Sequence, residues 1–179
     1  DGQLRKLLLE GLVTTDRRVA SAKPVTAFFL FAVLLWAPIK KHFEKLHSKG
    51  MPPIPAMQQA VEDIVRAQQS HISIPRRTTI PMKEMLALQS RFNMRRGVRS
   101  LRFLHHPRFR AAYDFMLLRA SCGGFDSEAA QWWTDIQLAD DKTQREMAQV
   151  GRGAGTGKRK RRPRRRGARK RSAGQGGQE

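Results

Sequence analysis

Residues 25–39, VTAFFLFAVLLWAPI, are almost wholly apolar. Such a run has two destinations: the hydrocarbon of a bilayer, or the core of a folded domain. A spanning helix needs about 20 apolar residues. This run has fifteen, carries Pro38 near its end, and is bracketed by Lys23, Lys40 and Lys41. No small-residue cleavage site follows it, and its position does not suit a secretion signal. The expectation is a buried core helix with no stable membrane insertion. The rest of the chain must then supply helices or strands that cover it.

Those covering elements read as helices. Residues 4–13, LRKLLLEGLV, form a short one, followed by TTDRR as a polar connection. Pro24 sits ahead of the apolar run, where a helix can start without losing a hydrogen bond. That helix is expected to continue through KKHFEKLHSK to a stop at Gly50. MPPIP (51–55) breaks the chain, and 56–69 carries Met57, Val61, Ile64 and Val65 at helical spacing. IPRRTTIP (74–81) reads as a second break. MKEMLALQSRFNMRR then places Met85, Leu88 and Phe92 on one side, up to a stop or bend at Gly97. Residues 98–104 form a short helical piece, a further helix opens at Pro107 and ends at GGF (123–125), and Asp126 is an N-cap for 126–139. No stretch alternates as a strand does, and no repeat of fixed period is present. The fold class is all-α, a bundle of about seven short to medium helices.

Within FLHHPRFRAAYDFMLLRA (103–120), Phe109, Ala112, Tyr113, Met116, Leu117 and Ala120 form one apolar stripe. His105 and His106 precede it. Metal ligation needs further ligands at suitable spacing, and none is near, so a turn, packing or polar-contact role is expected of them. Trp132 and Trp133 read as a core anchor for the last helix rather than a stacking surface. Asp140 and Asp141 are adjacent and could not both point at one pair of metal ions from a helix. GRGAGTGKR (151–159) resembles a phosphate loop only superficially: Arg152 stands where a Gly is needed, and Arg159 where Ser or Thr is needed. Cys122, the single cysteine, cannot form an internal disulfide and fits a reducing compartment.

The formal net charge is +20, which implies a polyanionic partner. It is carried by two segments. Residues 76–110 hold Arg76, Arg77, Lys83, Arg91, Arg95, Arg96, Arg99, Arg102, Arg108 and Arg110, opposed only by Glu84. If one helix ran through Gly97, Arg91, Arg95, Arg99 and Arg102 would share a face. Like charges so placed repel by about 0.2–0.5 kcal/mol per pair, a cost that phosphates would neutralise with counterion release. The second segment, KRKRRPRRRGARKR (158–171), has eleven basic residues in fourteen: Lys158, Arg159, Lys160, Arg161, Arg162, Arg164, Arg165, Arg166, Arg169, Lys170 and Arg171. It should bind phosphates without sequence preference and stack on unpaired bases. Almost nothing apolar follows residue 151, so the tail is expected to be disordered when free. The implied organisation is a helical body segment (1–75), a basic helical C-terminal domain (76–139) and a basic tail (140–179). Nothing in these residues supports catalysis within the chain, and none is a candidate catalytic or metal-ligating residue.

Several blocks resemble one family. FLHHPRFRAAYDFMLLRA with AAQWWTDIQ, PRRTTIPMKEMLALQSRFNMRRGVRSLRFL, and KPVTAFFLFAVLLWAPI are similar to the C-terminal part of the bacterial poly(A) polymerases, of the nucleotidyltransferase class that includes the CCA-adding enzymes. The likeness covers roughly residues 2–137 in order and spacing, and the arginine-rich end in composition. CGGFDSE is shorter than the family's link can be. The resemblance implies a bacterial cytoplasmic enzyme that adds AMP from ATP to RNA 3′ ends, promoting mRNA processing and decay. It also implies that ATP and Mg2+ are held by an N-terminal catalytic head whose Gly-Ser loop and acids this sequence lacks. The chain, which opens on Asp1, would be the body and tail, gripping single-stranded RNA through the two basic segments. The alternative is a non-enzymatic basic RNA chaperone or ribosome-associated protein. A membrane-associated protein anchored by residues 25–39 is a third reading.

Overall fold

The computed structural model describes residues 2–22 and 25–149. These form eight α-helices and one 3₁₀ segment, without a strand among the described residues. The chain is all-α, as its patterning requires. Pro24 and the arginine run 158–171 lie outside the described residues.

α1 (Gly2–Ala20) does not stop at TTDRR. The Thr15 hydroxyl donates to the Gly11 carbonyl at 2.8 Å, so this polar stretch turns its side chain back on the helix instead of leaving it. α1 lies against α2 (Ala27–Ser48) at Gly11, where a built Cβ would stand 2.6 Å from Val33 Cγ1. Val33 is itself buried. Gly11→Ala is therefore expected to destabilise the fold by about 1–3 kcal/mol, read as a lowered denaturant midpoint with unchanged slope.

α2 carries the apolar run through Pro38 and on to Ser48, and Gly50 follows at φ 91°. Ala32, Val33, Leu35, Trp36 and Ile39 are buried, whereas Leu34 faces outward. Among the described residues no helix is long and apolar enough to cross a membrane. α1, α3 (Pro53–Gln69) and α4 (Arg76–Ala87) pack against α2. α3 begins inside the MPPIP breaker, because prolines in a first turn lack only donors that would have no helical partner.

IPRRTTIP is likewise not a break throughout. α4 begins directly after Pro75 and contains Pro81, which is buried. The carbonyl that Pro81 cannot serve is that of Arg77, an exposed residue. After Ala87 the coil tightens into a 3₁₀ segment, Leu88–Asn93. Met85, Leu88 and Phe92 are buried as their spacing suggests, but Gln89 and Ser90 are buried too. Gln89 holds the segment in place. Its Nε2 donates to the Met85 carbonyl at 3.3 Å and to the Ala112 carbonyl at 3.0 Å, tying the segment to α6 (Phe109–Ser121).

α6 starts two residues after Pro107, not at it. The His106 carbonyl accepts from Phe109 N–H at 2.8 Å and His106 Nδ1 from Arg108 N–H at 3.1 Å, making a turn first. The stripe of α6 is buried or half-buried, and Phe115, off the stripe, is fully buried as well. Phe115 meets Phe29 and Trp36 of α2 edge-on, with centroids 5.8 and 5.3 Å apart. α6 is thus covered on two sides, which one amphipathic stripe cannot express.

A second aromatic knot closes the C-terminal part. Phe92, Phe103, Phe109 and Trp133 pack with neighbouring centroids 4.9–5.9 Å apart. Trp133 Nε1–H donates to the Phe92 carbonyl at 2.8 Å. α7 (Ser127–Leu138), which carries Trp133, is capped by Asp126, whose side chain accepts from Glu128 N–H at 3.1 Å.

Residues 141–149, placed by their sequence in the tail, form an eighth helix, α8 (Asp141–Gln149). Asp140 initiates it: its carboxylate accepts from Thr143 N–H at 2.9 Å. Hydrogen bonds from Thr143 hold that carboxyl below its usual range. Gln144 Nε2 donates to the Ile136 and Ala139 carbonyls at the end of α7, and Ala148 is buried. Buried apolar side chains from Leu7 to Ile136 form one continuous core cluster, with α4 packed on α2 and α3 across residue 75.

Candidate nucleic-acid interface

The basic face is not one helix. Gly97 adopts φ 77°, ψ −176°, a conformation open essentially to glycine alone, and α5 (Val98–Leu104) starts after it. Gly97 N–H donates to the Ala148 carbonyl at 2.9 Å, so α8 holds the bend. Arg91 leaves the 3₁₀ segment before the bend, and Arg99 and Arg102 leave α5 after it. The bend turns them toward one another. They line a cavity of about 310 Å3 together with Ile54, Met94, Phe103 and His106. Phe103 is buried, Arg99 and Arg102 are exposed, and Arg91 is half-buried. The result is an apolar pocket with three guanidinium groups and an imidazole in its wall.

The other expected residues sit elsewhere. Arg95 and Arg96 lie in the bend, half-buried and exposed, and do not line the cavity. Arg76 and Arg77 are exposed in the first turn of α4. Lys83, Arg108 and Arg110 already have carboxylate partners. Lys83 Nζ lies 2.9 Å from Glu62, Arg108 Nε donates to Glu84 at 2.8 Å, and Arg110 Nε is 3.2 Å from Asp114. The Lys83 hydrogen bond holds the Glu62 carboxyl below its ordinary range; burial opposes it, and the charges of Lys83 and Arg66 add to it. Burial pushes the Asp114 carboxyl up, and Arg110 opposes it. A phosphate must compete with these acids at the three paired positions. At Arg91, Arg99 and Arg102 no described carboxylate forms an ion pair. The tail cations, Lys158 to Arg171, lie outside the described residues.

Four members of the cavity escaped sequence reasoning: Ile54, Met94, Phe103 and His106. Ile54 comes from α3, distant in the chain, and no local pattern points to it. His106 makes the polar contact its sequence context suggests, accepting Arg108 N–H on Nδ1, which orients its ring; its place in the cavity wall is what the sequence did not indicate. Arg119 was overlooked because it sits at the end of an apolar stripe. Its guanidinium lies 4.5 Å over the Trp36 ring and 5.3 Å over Phe125. Trp133 is fully buried as the anchor of α7.

Among the described residues no three His, Cys, Asp or Glu side chains could hold a metal ion. The Mg2+ that the resemblance implies therefore has no fitting donor set in them.

An all-helical body that gathers unpaired arginines round an apolar cavity has the make-up of a module facing a polyanion. The family model described as the polymerase A arginine-rich C-terminus matches residues 49–167, and the chain belongs to that family. The match takes in part of the arginine run. Poly(A) polymerase I of Salmonella typhi is 29% identical over 150 residues, 82% of this chain and 32% of the relative. Poly(A) polymerase I of Escherichia coli O6:H1 is 29% identical over 174 residues, 95% of this chain and 37% of the relative. The Haemophilus influenzae protein of that name is 29% identical over 151 residues, 83% and 33%. The chain spans about a third of the length of these relatives.

Proposed function

We propose that this chain is the RNA-holding part of a poly(A) polymerase that adds AMP from ATP to RNA 3′ ends in a bacterial cytoplasm. In this reading ATP, Mg2+ and the bond-making acids belong to a catalytic head elsewhere in the protein, and the arginine run 158–171 adds phosphate affinity. The observation that carries the reading is the cavity walled by Arg91, Arg99 and Arg102. Guanidinium groups take the phosphates of one strand, while an unpaired base rests on the apolar floor of Phe103, Met94 and Ile54. Stacking and phosphate contacts of this kind tolerate any base. A primer that advances one nucleotide per addition needs such a hold, because base-edge readout would resist the step. Arg95 and Arg96 flank the cavity and extend the track of charge.

Met94→Glu tests the base pocket. It sets a carboxylate among three guanidiniums, neutralising their charge and making the floor polar, and oligoadenylate affinity is expected to fall about tenfold, equivalent to about 1.4 kcal/mol. Met94→Leu, of similar volume, should leave it within a factor of two or so. Fluorescence anisotropy with labelled oligoadenylate reads both. Equal affinity for Met94→Glu and the parent would show that the strand lies elsewhere.

A further inference from the structure

One polar group in the wall of the larger cavity is left over when phosphates and a base have been placed: the imidazole of His106. Its position is fixed from two sides. His106 N–H donates to the Phe103 carbonyl at 3.0 Å, and Nδ1 accepts from Arg108 N–H at 3.1 Å. The ring stands edge-on to Phe103, with centroids 6.5 Å apart. A ring nitrogen that accepts a hydrogen bond carries no proton, so the contact with Arg108 assigns the neutral tautomer with its proton on Nε2. With Nδ1 turned to the backbone, the ring presents Nε2–H, an uncharged donor, away from it. No described residue accepts from Nε2. The buried polar atoms without a partner are others, Ser90 Oγ and Arg119 Nε, so Nε2 is open to solvent. The other side chains lining the cavity are Arg91, Arg99 and Arg102, which only donate, and Ile54, Met94 and Phe103, which are apolar. The acceptor for Nε2–H has to come from a ligand.

We propose that His106 Nε2–H donates to the ribose 2′-oxygen of the nucleotide held in this cavity, making the pocket selective for RNA over DNA. The proposal rests on the RNA-holding reading of the same cavity and adds the group that is read there. Three kinds of acceptor on a nucleotide compete for the donor. Phosphate oxygens go to the guanidiniums, whose charge-assisted hydrogen bonds are roughly twice as strong as those of a neutral donor. Base-edge acceptors differ from base to base, and a contact to them would resist the advance of the strand. The 2′-oxygen is carried by every ribonucleotide and is absent from DNA. A donor set at the edge of Phe103, in a wall shared with guanidiniums, suits an atom that lies between base and phosphate.

The experiment measures the affinity of the intact protein for oligoadenylate and for oligodeoxyadenylate of equal length, by fluorescence anisotropy. In His106→Asn the amide Oδ1 replaces Nδ1 as acceptor for Arg108 N–H, while nothing replaces Nε2–H. The thermal midpoint of this variant should stay within about 2 °C of the parent. Its affinity for oligoadenylate should fall about fivefold, as expected for one neutral hydrogen bond, and its affinity for the deoxy strand should not change. His106→Gln returns a donor amide near the position of Nε2 and gives up the Nδ1 contact. It should recover most of the ribose preference with a lower midpoint, a split that a purely structural role would not produce. The slope of log affinity against log salt should be the same in all three proteins, because no charge is removed. An unchanged ratio of the two affinities in His106→Asn overturns the proposal, whether both fall together or neither falls. Met94→Glu separates this failure from that of the pocket. If it lowers both affinities while His106→Asn leaves their ratio alone, the base pocket stands and the sugar contact falls; if it lowers neither, the pocket falls and the sugar contact with it.

Discussion

Trp133→Ala is expected to destabilise the protein by about 4 kcal/mol, lowering the thermal midpoint by about 15 °C. Trp133 has no solvent exposure, and its indole meets Phe92, Phe103, Phe109 and Trp132. Truncation leaves a void at the point where α5, α6, α7 and the 3₁₀ segment converge. It also strands the buried Phe92 carbonyl that Nε1–H now serves at 2.8 Å, and an unmet acceptor adds about 1–3 kcal/mol to a loss of this kind. Trp133→Phe keeps most of the aromatic volume and strands only the carbonyl, so its loss should be about half as large. Circular dichroism at 222 nm during heating reads the difference. A midpoint for Trp133→Ala within about 2 °C of the parent would mean the knot is not what holds these helices together.

The second large effect concerns RNA. Changing Arg91, Arg99 and Arg102 together to Ala should weaken oligoadenylate binding about a hundredfold at 0.1 M salt. It should also reduce the slope of log affinity against log salt by about 2, since each phosphate contact on a single strand contributes about 0.7. Stability should change little, because two of the three side chains are exposed and none is ion-paired to a described carboxylate. The same triple change at Lys83, Arg108 and Arg110 is the informative comparison. Those cations already hold Glu62, Glu84 and Asp114, and their loss should move the slope by less than half as much. If the two triples lower the slope equally, charge is felt diffusely across the body and the cavity has no special part in binding.

The contrast between these triples shows where residue patterns stop being informative. Ten cations in residues 76–110 are equivalent in the sequence, apart from the single acid among them. Three are neutralised by acids, and two of those acids, Glu62 and Asp114, lie outside that segment. A charge count cannot pair residues that the fold brings together from α3 and α4. The four-arginine face failed in form for a local reason: the winding ends at Asn93, Gly97 takes a positive-φ bend before α5, and that bend joins Arg91 to Arg99 and Arg102 by another route. Arg95 sits in the bend itself and does not line the cavity.

Helix ends followed the same division. Asp126 was legible because an N-cap is a local hydrogen bond. The proline breaks at 51–55 and 74–81 were misjudged because proline's effect depends on its position within a helix, and α3 and α4 place most of theirs in or near a first turn. α8 was missed because its composition is polar; its support comes from Gln144 and Ala148 reaching α7 and the bend.

The order of apolar and polar residues alone determined that this chain is helical, that residues 25–39 go to the core, that the last ordered helices are anchored by a tryptophan, and that positive charge is held in two segments. Periodicity and charge are properties of neighbours along the chain, so no fold is needed to see them. Which arginines stay unpaired, which surround an apolar floor, and that Arg119 is a half-buried cation without a described carboxylate partner were decided only by tertiary structure. Burial and ion pairing depend on what stands opposite a side chain in space, and here that is supplied from α2, α3, α6 and the 3₁₀ segment, tens of residues away.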